Sequence, residues 1–101
     1  MELFKVIVML FASYKVPNGK LLKVKLEATG NQIREVKILG DFFLHPEETI
    51  LAIEEALIDC KLDSNEIEKR IQSTLMDYDA TLIGATPGDF SKTVMMAWES
   101  K

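Results

Sequence analysis

The sequence contains few of the residues that build catalytic, metal or redox sites. It has one cysteine, Cys60, and one histidine, His45, in 101 residues. A single cysteine excludes a disulfide within the chain, and one histidine beside it does not give the ligand spacing of a zinc site. Glycine-rich phosphate loops, H-E-x-x-H and serine–histidine–aspartate patterns are also absent. We therefore expect no catalysis by this chain alone, no metal site and a location in the reducing cytoplasm.

Long hydrophobic runs are lacking as well. The longest, from Val6 to Ala12, has seven apolar residues, whereas a membrane-spanning helix needs about 20. Glu2 and the lack of a small-residue cleavage site argue against a secretion signal. The β-branched and aromatic content of the run predicts an edge or interface strand instead. We treat residues 1–101 as one domain, in which residues 1–11 form an apolar extension or the first strand, and we expect no membrane partner.

Charge is distributed unevenly along the chain, whose net charge is −4. Residues 1–40 carry seven basic and three acidic side chains, whereas residues 41–101 carry five basic and thirteen acidic ones. Lysines on the solvent face of strands and glutamates on helices would explain this, and so would a basic sheet face near an anion. No basic stripe with interleaved aromatic residues is present, so nucleic-acid binding is not expected.

The first forty residues show the alternation of half-buried strands. In the stretch KLLKVKLEA, apolar residues occupy every second position, at Leu22, Val24, Leu26 and Ala28. The stretch IREVKIL repeats the pattern, with Val36 and Ile38 facing inward. Turn residues separate these runs from each other and from the N-terminal run, at Pro17-Asn18-Gly19 and Gly30-Asn31. The pattern predicts a three-stranded antiparallel meander.

The remaining residues have helical spacing. Pro46 is suited to the first position of a helix, which would bury Ile50, Ile53 and Leu57 with support from Leu51 and Ile58. A second helix begins with Asp63 as its N-cap and buries Ile67, Ile71 and Leu75. A third begins with Thr86 and Pro87. Strands followed by helices predict an α+β fold, in which three helices cover one face of the sheet.

The stretch GDFFLHP, residues 40–46, joins the last strand to the first helix. Gly40 ends the strand, Asp41 can accept backbone N–H bonds, and Phe42 and Phe43 can wedge between the sheet and the first helix. Two adjacent phenylalanines cannot both point inward easily, and an exposed aromatic side chain is typical of contact with another protein. We therefore predict a partner interface at Gly40, Asp41, Phe42 and Phe43. His45 is interpreted as a packing or capping residue.

The chain resembles the C-terminal accessory domain of lipoate–protein ligases, in the form of a free-standing small subunit. The resemblance lies in the turn with Pro17, Gly19 and Lys20, in the following hairpin, in the junction GDFF and in the closing stretch IGATPGDFSKTVMMAW. It covers about residues 12–99. The apolar residues from Leu3 to Phe11 precede the similar region.

This resemblance implies a division of labour between two chains. A separate catalytic subunit would bind lipoate, ATP and magnesium, form lipoyl-AMP and transfer the lipoyl group to a lysine of an acceptor protein. The present chain would bind no cofactor alone and would form a heterodimer that supports the activation step. It would meet the acceptor only indirectly. Lys20 is a candidate phosphate-facing residue.

Two other interpretations remain open from the sequence. Small sulfur or iron–sulfur delivery and scaffold proteins are similar in fold to this accessory domain, and Cys60 would then be the active residue. A helix C-terminus raises a thiol pKa, which does not favour that role. A generic protein-interaction module is the other alternative.

Overall fold

The computed structural model describes residues 6–100. Three antiparallel strands form a sheet in the order β1-β2-β3, and three helices follow. A separate two-stranded antiparallel sheet pairs β4 with β5. The elements are β1 (Ile7–Lys15), β2 (Leu21–Thr29), β3 (Gln32–Gly40), β4 (Phe43–His45), α1 (Thr49–Ala56), α2 (Ser64–Asp77), β5 (Thr81–Ile83) and α3 (Pro87–Glu99). The predicted α+β fold is confirmed, whereas the β4–β5 sheet was not predicted.

The strands have the predicted alternation. Leu22, Val24 and Leu26 are buried, while Lys23 and Lys25 between them are exposed. The first turn closes when the Gly19 N–H donates to the Val16 carbonyl at 2.8 Å. In β3, Val36 and Ile38 point to the same covered face. The N-terminal apolar run is a strand as predicted, because β1 begins at Ile7; residues 1–5 lie outside the described part of the chain.

Different helices cover different strands of the sheet. Helix α3 packs on β1 and β2, α1 packs on β3 and β4, and α2 packs on the other two helices. Phe90, Val94 and Ala97 of α3 are fully buried. Burying a phenylalanine side chain stabilises a fold by about 1.5–3 kcal/mol, so Phe90 is a main anchor of this layer. None of the helices within residues 6–100 is both long and apolar enough to cross a membrane.

The predicted start of the first helix is wrong. Helix α1 begins at Thr49, and Pro46 lies in a turn where its carbonyl accepts the Thr49 N–H at 3.0 Å. The peptide bond between His45 and Pro46 is cis. Pairing of β4 with β5 keeps His45 extended, so the chain must turn before a helix can begin.

The apolar stripe of α1 is narrower than predicted. Ile53 and Leu57 are buried and Ile50 is half-buried, but Leu51 and Ile58 are exposed. Leu51 lies on the side of α1 that faces solvent, and Ile58 follows the end of the helix at Ala56.

The other two helix starts are confirmed. The Asp63 side chain accepts the Glu66 N–H at 3.1 Å, which satisfies one free donor at the start of α2. At α3, Thr86 and Asp89 form a reciprocal capping box and Pro87 is the first helical residue. Ile67 and Ile71 are buried as predicted, and Leu75 is half-buried.

Candidate functional site

Three segments that are distant in the sequence meet at one end of the sheet. The Lys20 N–H, after the β1–β2 turn, donates to the Gly84 carbonyl at 3.1 Å. The Asp41 carboxylate accepts the Leu21 N–H at 2.9 Å. The Asp41 N–H in turn donates to the Leu21 carbonyl at 3.4 Å. Lys20 and residues 40–43 were predicted as separate candidates, and the fold makes them neighbours.

Two glycines allow these backbones to approach so closely. A Cβ on Gly40 would lie 2.5 Å from the Leu21 carbonyl oxygen, closer than the two atoms can pack. Gly84 has a φ of +97°, which side chains of L-residues rarely allow. A Cβ there would also lie 2.7 Å from Cγ of Lys20. A larger residue at Gly40 would push its segment away from Leu21, and one at Gly84 would be strained at this φ and would displace the Lys20 side chain.

Phe42 turns inward from this junction. It is half-buried, and its ring meets that of Phe90 edge to face, with centroids 5.1 Å apart and planes at 65°. The Phe42 ring thus contacts α3, a contact that the predicted wedge between the sheet and the first helix did not include. The reason is topological, because α3 covers β1 and β2 and β3 ends at Gly40 beside Leu22 of β2.

Phe43 points outward and is part of an exposed apolar surface. Its side chain is 54% exposed and stacks with His45, at a centroid distance of 6.4 Å and an interplanar angle of 12°. It pairs across the small sheet with Ile83, which is 59% exposed. Leu39, also exposed, shares a shallow groove with Phe43. We call Leu39, Phe43 and Ile83 the junction patch.

Sequence reasoning missed two of these three residues. Leu39 follows the inward Ile38 and breaks the alternation of β3, a signal that points to an exposed apolar side chain. Ile83 lies in the short β-prone run TLI before Gly84, and only the pairing with β4 places it beside Phe43. Asp41 and Lys20 are both exposed at the same end of the molecule.

Cys60 lies in a different environment from an active thiol. Its side chain is fully buried and its S–H donates to the Lys61 carbonyl at 3.3 Å. Burial raises the pKa of the Cys60 thiol, and the charge of Arg70 offsets this only in part.

Residues 6–100 contain no group of three or more His, Cys, Asp or Glu side chains placed to hold a metal ion.

Comparisons with known proteins agree with the geometry of the fold. The family described as the bacterial lipoate protein ligase C-terminus matches residues 11–93. Lipoate-protein ligase A subunit 2 of Thermoplasma acidophilum is 36% identical over 81 residues, which cover 77% of this chain and 79% of that protein. The chain belongs to the lipoate protein ligase C-terminal family, as its resemblance predicted.

A solved structure supports the same relationship. It comes from a structural analysis of an archaeal lipoylation system, a bipartite lipoate protein ligase and its E2 lipoyl domain from Thermoplasma acidophilum. The matched chain superposes with a TM-score of 0.68 at 25% identity, and the match covers 90% of the present chain and 97% of that chain.

The role of Gly40 is tested by Gly40→Ala. Because the new Cβ would collide with the Leu21 carbonyl, we expect the free energy of unfolding to fall by about 1–3 kcal/mol, measured by urea denaturation. Gly88→Ala is the control, since its Cβ would meet nothing closer than 3.6 Å and alanine favours the helix. Equal stability of the Gly40→Ala protein would show that the close approach can relax.

The burial of Cys60 is tested by alkylation. The thiolate is the reactive form, and both burial and the raised pKa reduce its accessible amount. We expect iodoacetamide at pH 7 to modify the folded protein at least tenfold more slowly than the urea-unfolded protein, as followed by mass spectrometry. Comparable alkylation rates in the folded and the unfolded protein would make Cys60 a candidate reactive residue again.

Proposed function

We propose that this chain is the accessory subunit of a bipartite lipoate–protein ligase and acts in protein lipoylation with a separate catalytic subunit. The observation that carries the proposal is the match to a ligase subunit 2 over most of both chains. The family match over residues 11–93 and the likeness to a chain from a bipartite ligase study support it.

In this proposal, lipoate, ATP and magnesium are bound by the catalytic subunit. Within residues 6–100, no three His, Cys, Asp or Glu side chains are placed to hold a metal ion together, and the proposal assigns the magnesium to the catalytic subunit. The chain would act by docking, in the cytoplasm, as one half of a heterodimer. The acceptor protein would meet the catalytic subunit, and the present chain only indirectly.

The junction patch is the proposed docking surface. Phe43 and Ile83 present adjacent exposed apolar side chains, and aromatic anchors in such positions often contribute much of a binding energy. Gly40, Asp41 and Phe42 hold Phe43 in this position through the contacts with Leu21 and Phe90. Lys20 lies beside them, and we propose that its ammonium group faces a phosphate in the complex.

Docking would accelerate lipoate activation by ordering the catalytic site. An adenylate is a reactive mixed anhydride, so its formation benefits from excluded water and fixed reacting atoms. Binding energy accelerates only the step in which the docking contacts strengthen. A closed assembly would hinder the approach of an acceptor lysine. We therefore assign this chain to activation of lipoate and not to transfer.

The docking surface is tested by Phe43→Ala. Because Phe43 is more than half exposed, its truncation should lower the melting temperature by less than about 4 °C, which corresponds to less than about 1 kcal/mol. The Kd for the catalytic subunit should rise at least tenfold, which corresponds to a loss of about 1.4 kcal/mol of binding free energy. Calorimetric titration and thermal denaturation measure the two effects separately.

Met76→Ala is the matched control for this variant. Met76 is 75% exposed near the C-terminal end of α2 and is not part of the junction patch. Its truncation should change neither the Kd nor the melting temperature. A loss of stability in Phe43→Ala as large as its loss of affinity would make residues 40–43 a packed corner and not an interface.

The assignment to activation is tested by separating the two half-reactions. From lipoate and ATP, the catalytic subunit alone should form almost no lipoyl-AMP, and addition of this chain should restore it. With chemically made lipoyl-AMP and an acceptor domain, the rate of acceptor modification should depend little on this chain. Rapid-quench chromatography follows the first reaction and mass spectrometry the second.

Two results would contradict this assignment. A strict requirement for this chain during transfer from lipoyl-AMP would show that it acts in the second step. Full adenylate formation by the catalytic subunit alone would reduce the chain to a protein-binding module without a role in activation.

A further inference from the structure

The first half of β1 differs from the rest of its sheet. On the face not covered by helices, β2 presents Lys23, Lys25 and Glu27 to solvent, as expected for a half-buried strand. On the same face β1 presents Ile7, Met9 and Phe11, which are 45%, 50% and 63% exposed. Apolar residues on both faces are typical of a strand that is covered on both sides. Within residues 6–100, about half of the surface of these three side chains is left exposed.

The two edges of the sheet also differ in whether their outward backbone groups are hydrogen-bonded. The outer edge of β3 is occupied, because the Ile33 N–H donates to the Cys60 carbonyl at 2.8 Å and the Ile33 carbonyl accepts the Asp59 N–H at 2.7 Å. Further along, the Ile38 N–H donates to the Glu54 carboxylate at 2.8 Å. Covering an edge in this way prevents pairing with another chain.

The outer edge of β1 differs from that of β3. The Val16 N–H donates to the Lys20 carbonyl at 3.0 Å, and hydrogen-bonded positions alternate along an antiparallel pair. Even-numbered residues of β1 therefore bond to β2, while Met9, Phe11 and Ser13 direct their N–H and C=O groups outward. Within residues 6–100, no strand pairs with this edge.

We propose that a β-strand of the catalytic subunit adds to the free edge of β1, with its apolar side chains covering Ile7, Met9 and Phe11. Strand addition satisfies the outward backbone groups and provides affinity through main-chain hydrogen bonds. The inference rests on the proposed function, because the occupant is the subunit with which this chain acts.

The size of a stable interface favours this occupant. A stable interface buries about 800 Å² per partner, more than the three side chains of the junction patch provide. The outer sheet face connects the two surfaces. Leu39 of the patch pairs with Lys23, and Lys23 pairs with Ser13, two residues from Phe11 on the same face of β1. One partner can therefore contact both surfaces.

Charge argues against a second copy of this chain at the edge. The outer face carries four lysines and two glutamates, Lys15, Lys23, Lys25, Lys37, Glu27 and Glu35. Pairing of two β1 edges would place two such positive faces side by side, and like charges oppose association. The added strand is expected to carry or adjoin acidic residues, which these lysines would attract.

The test uses two variants of the full chain, Met9→Pro and Phe11→Glu. Met9→Pro removes an outward N–H that β2 does not use, and proline is tolerated on edge strands. Phe11→Glu places a charge on the covered surface and leaves the backbone intact. Each should raise the Kd for the catalytic subunit at least tenfold. Met76→Glu is the control, since it adds the same charge to an exposed apolar position on α2 and should bind normally.

Hydrogen exchange distinguishes strand addition from side-chain contact alone. In the free chain the amides of Met9 and Phe11 should exchange fast and that of Leu10 slowly, because of these three amides only that of Leu10 bonds to β2. In the complex, the amides of Met9 and Phe11 should become at least tenfold more protected, as measured by NMR after quenching. Unchanged exchange at both residues would overturn the strand addition even if Phe11→Glu weakens binding.

The other outcomes also have defined meanings. Normal binding by both folded variants would overturn the strand addition and leave the proposed function in place. A homodimer of the chain alone, seen by light scattering and abolished by Phe11→Glu, would assign the edge to a second copy. Failure of the unmodified chain to bind the catalytic subunit would overturn both proposals.

Discussion

The close approach of three backbone segments at the end of the sheet is the constraint on which the candidate site depends. Gly40 brings the end of β3 against Leu21, and Gly84 brings the end of β5 against Lys20. Beyond these contacts the chain leaves the main sheet, and its next strand, β4, pairs with β5. Phe42 then points to Phe90 and Phe43 points to solvent. A single geometric requirement thus determines which phenylalanine supports the core and which is available to a partner.

The asymmetry of the main sheet follows from the order of its elements. The connection between α1 and α2 passes along β3, so Asp59 and Cys60 can bond to Ile33. Within residues 6–100, no strand pairs with the outer edge of β1. Its apolar outer face would be a liability for aggregation in a protein that acts alone. In a subunit that assembles, the same edge is a means of recognition.

Much of this fold follows from local sequence patterns, and the departures have a common physical cause. The alternation in β2 and the caps at Asp63 and Thr86 involve residues that are close in sequence, so the patterns predicted them correctly. The start of α1 was misplaced because β4 pairs with β5 about 40 residues further on, through Phe43 and Ile83. A pairing between residues so far apart in sequence cannot be predicted from a local pattern. The same long-range pairing brings Ile83 into the junction patch.

If the junction patch is the docking surface as proposed, residues that bind a partner are separate from those that maintain the fold. Phe43 is restrained by the β4–β5 pairing and by its stacking with His45, so little side-chain entropy would be lost in the proposed docking. Its exposed face contributes little to folding, because that face is not removed from water in the free chain. Binding energy can therefore be concentrated in Phe43, while Gly40 and Phe42 hold it in place. An exposed but restrained aromatic side chain of this kind would suit an accessory subunit that acts by docking, as proposed.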